Sequence, residues 1–168
     1  MKRYFLTSLV ALLVTIGLSA QKYGFVNSSQ LLVSLPDVKT ADSQLEAYQK
    51  QLIEKGEQMV KTFEEAYNVY LAKANSGELS QIQMQQQEGQ LSQEQQAIQA
   101  YEVEVQNKLA AKKQELYQPI LQKVQNIVDQ MGKEEGYTMI FDASIGGILF
   151  ADNADDLMPI LKQKLGIQ

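Results

Sequence analysis

The chain has 168 residues, with 15 basic and 20 acidic side chains, a formal net charge of −5, and neither His nor Cys. One domain is expected at this length, and without His and Cys the usual zinc sites and nucleophile–base pairs are excluded, so we predict no enzyme, metal site or cofactor. The acidic balance also argues against binding of nucleic acid and of anionic membrane surfaces.

Residues 1–20 have the organisation of a secretory signal peptide. Lys2 and Arg3 give a positive start, residues 4–18 form an apolar run, and small residues lead to Ala20. A transmembrane anchor is the alternative, but the run is short for a membrane span. Cleavage near Ala20 removes two of the 15 basic residues and leaves 13 Lys against 20 acidic residues, a net charge of −7. We therefore expect an exported protein.

A short strand and a short helix open the mature chain. Residues 22–28 alternate apolar with small or polar side chains, which predicts a strand that directs Phe25 or its neighbours to a core. Ser28 or Ser29 can cap a helix that Pro36 ends, and Pro36 suits the first turn of the next helix.

Residues 38–131 are predicted to form one long antiparallel helical hairpin, with its tip near residues 75–80. Apolar residues recur at spacings of three and four along both arms, which is typical of one buried stripe on each helix. The first stripe contains Val38, Ala41, Leu45, Tyr48, Leu52, Met59, Phe63, Ala66 and Tyr70. The second contains Leu91, Ile98, Tyr101, Val105, Leu109, Leu116, Ile120, Val124, Ile127 and Met131.

The start of the second arm is rich in Gln and poor in positive charge. Ten of the nineteen residues in 81–99 are Gln, yet apolar residues still recur there, which favours helix over a disordered polar tract. No Lys occurs between Asn75 and Asn107, so the tip is acidic.

Two strands and a helix are predicted after the hairpin. Residues 137–142 and 148–151 form apolar strands joined by a turn at 143–147, and residues 153–156 cap a final helix. We expect an α+β fold in which residues 21–37 and 132–168 form a β-rich base. A small sheet of such strands is apolar on both faces and has unpaired edges. Both features favour closing the base by pairing with other copies of the chain. The predicted oligomerisation core is Phe25, Met139, Ile140, Phe141, Ile148, Leu149 and Phe150.

Several motifs occur in a fixed order along the mature chain. They are Tyr23-Gly24-Phe25-Val26-Asn27, Leu31-Leu32 before Pro36, Pro119-Ile120-Leu121, Gly136-Tyr137 with the strand to Asp142, Ile148 to Asp152, and Asp156-Leu157. In these motifs and in its order of elements the chain resembles the Skp (OmpH-like) family of periplasmic chaperones, over essentially the whole mature chain. The resemblance implies a homotrimer with a small barrel as base, whose helical arms enclose a cavity that holds unfolded outer-membrane proteins without ATP. It also implies a periplasmic location.

Several apolar side chains on the arms fall outside the buried stripes. Singly exposed apolar residues are ordinary, but a holder of unfolded chains needs scattered, adaptable apolar contacts. We therefore interpret this set as candidate client-binding residues. It comprises Ile53, Val60, Tyr67, Val69 and Met84.

A structural or adaptor protein of the envelope is the alternative function. Such a protein would use the hairpin as a coiled coil that docks one specific folded partner. The Gln-rich, weakly apolar tip argues against a dedicated docking site there.

Overall fold

The computed structural model describes residues 21–167, so the predicted signal peptide lies outside the described residues. The chain divides into a hairpin unit, from Val33 to Lys123, and a base unit, which comprises the described residues up to Leu32 and from Val124 onward. The elements are β1 Lys22–Val26, α1 Ser28–Ser34, α2 Pro36–Asn75, α3 Gln81–Glu134, β2 Tyr137–Asp142 and α4 Met158–Leu165, with 3-10 turns at Ala143–Ile145 and Asn153–Asp155.

Local sequence explains both ends of the hairpin's first helix and the start of its second. Leu35 is extended, because a residue before proline avoids the helical region, and Pro36 begins α2. At the tip, Gly77 has a φ of 75°, a left-handed conformation that suits glycine. The backbone N–H of Ser80 then donates to Oε1 of Gln83 at 2.9 Å, and the N–H of Gln83 donates back to Oγ of Ser80. This reciprocal capping box starts α3.

The two long helices pack along the predicted stripes. Within the hairpin unit their buried side chains are Val38, Ala41 and Leu52 on α2, and Leu91, Tyr101 and Ile120 on α3. Polar contacts also join the arms: Lys123 to Asp37 at 2.8 Å, Tyr117 to Asp42, Tyr101 to the carbonyl of Leu52 at 3.0 Å, and Tyr70 to Glu88. The predicted α+β fold with a long helical hairpin and a small sheet is confirmed.

The base unit is built on a two-stranded parallel sheet. Strand β1 pairs with β2, and Gly24 lies opposite Ile140. A side chain at Gly24 would collide with Leu157, since a Cβ there would lie 2.5 Å from Leu157 Cδ1. The core beside the sheet consists of Val26, Leu31, Met131, Leu157, Met158 and Leu161.

The predicted strand at residues 148–151 is wrong. These residues have no regular secondary structure, so β2 does not continue into an antiparallel hairpin. Instead Asp142 caps the turn Ala143–Ile145, and Gly146 takes a φ of 75°. The other edge of β1 is occupied by a bridge from Asp156, and Leu157 donates to the carbonyl of Phe25 at 2.9 Å. The apolar run therefore has no strand partner among residues 21–167.

The ends of the last two helices also differ from expectation. The sequence predicts that Gly132 helps to end the second arm, but α3 continues through it to Glu134, and Gly136 follows with a φ of 72°. A Cβ at Gly132 would meet only Ile140, at an ordinary 3.5 Å, so nothing forces a break there. The final helix begins at Met158 with Pro159 in its first turn.

Candidate functional site

The hairpin carries exposed apolar side chains at the predicted client-binding positions. Ile53, Val60, Tyr67 and Val69 are 41–52% exposed, whereas Met84 is partly buried. Exposed apolar side chains that interrupt a polar helix surface are available to a partner.

These positions do not form one surface. Ile53, Val60 and Tyr67 are spaced by seven residues and lie on one face of α2, since seven residues make about two helical turns. Leu71, which is also exposed, extends this line by one turn. We call Ile53, Val60, Tyr67 and Leu71 the α2 stripe. Sequence reasoning missed Leu71, although its position four residues after Tyr67 is a usable signal.

Val69 belongs to a different face of the same helix. It comes two residues after Tyr67, a rotation of about 200° around the helix. There it lines a groove of about 220 Å³ together with Tyr70 and Leu91. The five predicted residues are therefore distributed over more than one surface of the hairpin.

A second groove lies between the arms, nearer the middle of the hairpin. It measures about 460 Å³, and Met59, Thr62, Ala97 and Ile98 form much of its wall. Nearby, the Lys55 ammonium lies 4.8 Å from the centre of the Tyr101 ring. This groove gives the hairpin a concave apolar feature beside the convex α2 stripe.

Two tyrosine–carboxylate contacts join the arms, Tyr70 to Glu88 near the tip and Tyr117 to Asp42 near the opposite end of the hairpin. The hydrogen bond to Glu88 raises the pKa of Tyr70, and the hydrogen bond to Asp42 raises that of Tyr117. Both phenols therefore stay protonated and act as donors across the hairpin.

Much of the predicted oligomerisation core is exposed on the base unit. Leu149 and Phe150 are 99% and 89% exposed, and Met139 and Phe141 are also exposed. A groove of about 480 Å³ is open beside them. We call its larger apolar lining residues the base surface: Tyr23, Phe25, Phe141, Ile148, Leu149 and Phe150.

Ile140 does not belong to that surface. Its side chain packs against the core of its own base unit and lies near the backbone of Gly132. Ile140 and Met139 are neighbours on a strand, so their side chains point to opposite sides of the sheet. We therefore remove Ile140 from the predicted oligomerisation core, because its side chain packs within its own chain.

Asp142 fixes the segment that leads into the base surface. Its carboxylate accepts the Ser28 hydroxyl at 2.6 Å, the Ser28 N–H at 3.1 Å and the Ser144 N–H at 2.9 Å. Burial raises the pKa of Asp142, but these hydrogen bonds favour the charged form and bring the pKa down to about 2. The charged carboxylate therefore joins the start of α1 to the turn after β2.

Within residues 21–167 no three acidic residues gather in a way that could hold a metal ion. None of the helices there is both long and apolar enough to cross a membrane.

The comparisons with known proteins agree with this architecture. The family model for outer membrane protein (OmpH-like) matches residues 22–165. No reviewed protein sequence gives a significant match. The crystal structure of an OmpH-like protein from Caulobacter crescentus CB15 is similar with a TM-score of 0.75 at 17% identity, over 89% of this chain and 86% of that one. The chain therefore belongs to the OmpH-like outer membrane protein family.

Proposed function

We propose that the protein is a periplasmic chaperone that binds unfolded outer-membrane proteins and prevents their aggregation without ATP. The observation that carries this proposal is the row of exposed apolar side chains on an otherwise polar hairpin, in a member of the OmpH-like family. The similar Caulobacter protein is itself described as a candidate outer membrane chaperone. An enzymatic role is not part of the proposal.

The chemistry of the α2 stripe suits a holder of unfolded chains better than a docking site for one folded partner. Ile53, Val60 and Tyr67 are spaced about 10 Å apart along the helix, so each offers a separate contact. Separate apolar contacts on a polar surface can accept many sequences, since no single shape must be matched. In our proposal three copies associate through the base surface, and their hairpins surround the client.

Aggregation suppression tests the proposed function. A denatured outer-membrane β-barrel protein is diluted from urea into buffer with the mature protein, without nucleotide, and light scattering is followed. We expect the parent protein to keep scattering low. The triple variant Ile53→Ser, Val60→Ser and Tyr67→Ser should lose most of this activity, because it removes apolar contacts from α2 and leaves its buried stripe intact.

The matched control changes exposed apolar residues elsewhere on the hairpin unit. Val103→Ser with Leu121→Ser removes two such side chains from α3 and should leave the activity largely intact. Failure of the parent protein to lower scattering would refute the chaperone proposal and favour the adaptor alternative. Equal loss in both variants would mean that no particular face binds clients.

A further inference from the structure

The α2 stripe is interleaved with acidic residues in a regular order. Glu57 lies between Ile53 and Val60, and Glu64 lies between Val60 and Tyr67, at spacings that alternate between four and three. This is the spacing of a coiled-coil seam, so the five side chains lie along one line of α2. We call this set, together with Leu71, the acidic seam. It extends about 27 Å along the helix.

The carboxylates of the acidic seam have no cationic partner. Within residues 21–167, neither Glu57 nor Glu64 takes part in an ion pair. Two other acidic residues on α2 behave differently: Glu54 pairs with Lys50 and Glu65 with Lys61, each at 3.9 Å. Ion pairs therefore form beside the seam, and neither Glu57 nor Glu64 takes part in one.

We propose that the acidic seam selects cationic amphipathic segments of unfolded clients. This inference rests on the proposed function and specifies the chemistry of the captured segment. Apolar side chains of such a segment contact Ile53, Val60 and Tyr67, while its Lys or Arg side chains reach the carboxylates between them. Burial of apolar surface lowers the local dielectric, which strengthens each charge contact relative to an isolated surface pair.

The same charges disfavour two other occupants. If two copies paired through this seam, Glu57 and Glu64 of each would be brought against carboxylates of the other, and like charges at close range are repulsive. An anionic lipid surface would be repelled for the same reason. A cationic, partly apolar peptide chain is the partner whose charge complements the seam.

A matched pair of peptides tests this inference on the full mature protein. Two fluorescein-labelled peptides of about 20 residues, enough to cover the seam, carry identical apolar residues at alternating spacings of three and four. One has Lys at the intervening seam-facing positions and the other has Glu. We expect fluorescence anisotropy to show at least about fivefold tighter binding of the Lys peptide at low salt, from two exposed charge contacts.

The chain itself offers a charge-matched control. The variant Glu57→Gln with Glu64→Gln should abolish the preference for the Lys peptide, whereas Glu54→Gln with Glu65→Gln removes the same number of charges from α2 and should retain it. Equal binding of the two peptides by the parent, or equal loss in both variants, would overturn the inference. So would a smaller sedimenting species in the first variant only, because Glu57 and Glu64 would then take part in a contact between copies.

The two proposals fail separately in these experiments. A parent that suppresses aggregation but binds both peptides equally is a chaperone without charge selection. A parent that fails to suppress aggregation loses the proposed function, whatever the peptides show.

Discussion

Asp142 joins three parts of the base unit through a single carboxylate. Its partners are the first residue of α1 and the turn that follows β2, and Ser28 and Ser144 share a further contact at 3.0 Å. Ser28 precedes Asp142 by 114 positions. No local sequence pattern connects residues so far apart, which is why the capping role of Asp142 towards α1 was not predicted.

The substitution Asp142→Asn should make the free energy of unfolding less dependent on pH in the acidic range. Since the folded pKa lies at about 2, below the ordinary 3.8, the charged form contributes stability above pH 3.8 that is lost as the pH falls through about 2. We expect the variant to lose about 1–3 kcal/mol of unfolding free energy at neutral pH, and much less near pH 2. Urea unfolding followed by circular dichroism at fixed protein concentration measures both values.

Asp152→Asn provides the comparison for this prediction. Asp152 caps the turn Asn153–Asp155 through one exposed hydrogen bond, to the N–H of Ala154. Its loss should cost less at neutral pH. An Asp142→Asn penalty that stays constant across the pH range would contradict the assigned role.

The hairpin helices depend on Tyr101 at the middle of their contact. Its ring is buried, its hydroxyl donates to the carbonyl of Leu52, and a Cβ at Gly56 would lie 3.5 Å from the ring. Gly56 therefore leaves room for the Tyr101 ring, which comes from the other helix and could not be assigned to Gly56 from the sequence of the first arm.

Tyr101→Phe and Tyr101→Ala should separate the two contributions of this residue. The first removes only the hydroxyl and should lower stability by about 1 kcal/mol, because one buried carbonyl loses a donor. The second also opens a cavity and should cost about 3–5 kcal/mol. Thermal unfolding monitored by helical circular dichroism is the measurement. Val103→Ala is the control, since an exposed valine on the same hairpin should change stability by less than about 0.5 kcal/mol.

Helical elements were the most predictable part of the chain. The stripes, the proline at the start of α2 and the tip signals are all local, so the sequence indicates them directly. The predicted strand at residues 148–151 was wrong because an apolar run has the same sequence pattern whether it pairs within the chain or remains exposed. On the hairpin, the exposure of Ile53 and Val60 followed from helical spacing. The unpaired state of Glu57 and Glu64 depends on where lysine side chains lie, which spacing alone does not determine.

At the scale of the whole molecule, the base surface carries the prediction of self-association. Leu149 and Phe150 are almost fully exposed in the single chain, and the groove beside them is lined mainly by apolar residues. An exposed apolar surface of this kind is typical of an interface or a binding site. A trimer remains our prediction for its assembly.

Charged substitutions in the base should distinguish assembly from folding. Leu149→Asp should leave the chain folded and reduce its sedimenting mass, because nothing within residues 21–167 covers Leu149. Ile140→Asp should unfold the base unit, since it places an unpaired charge against the core. Circular dichroism reports folding, and sedimentation reports mass. Val103→Asp on the hairpin should change neither, and a parent protein that sediments as a monomer would refute the prediction.

The parallel pairing of β1 with β2 has a consequence for the order of folding. During synthesis from the N-terminus, β1 emerges while its partner strand is still more than a hundred residues away. Closing so long a loop directly is slow, because the entropic cost precedes any favourable contact. Zipping of α2 against α3 from the tip brings Asp37 beside Lys123 and so shortens the effective loop. We therefore expect the hairpin to form before the sheet. The base unit can fold only after almost the whole chain has been synthesised.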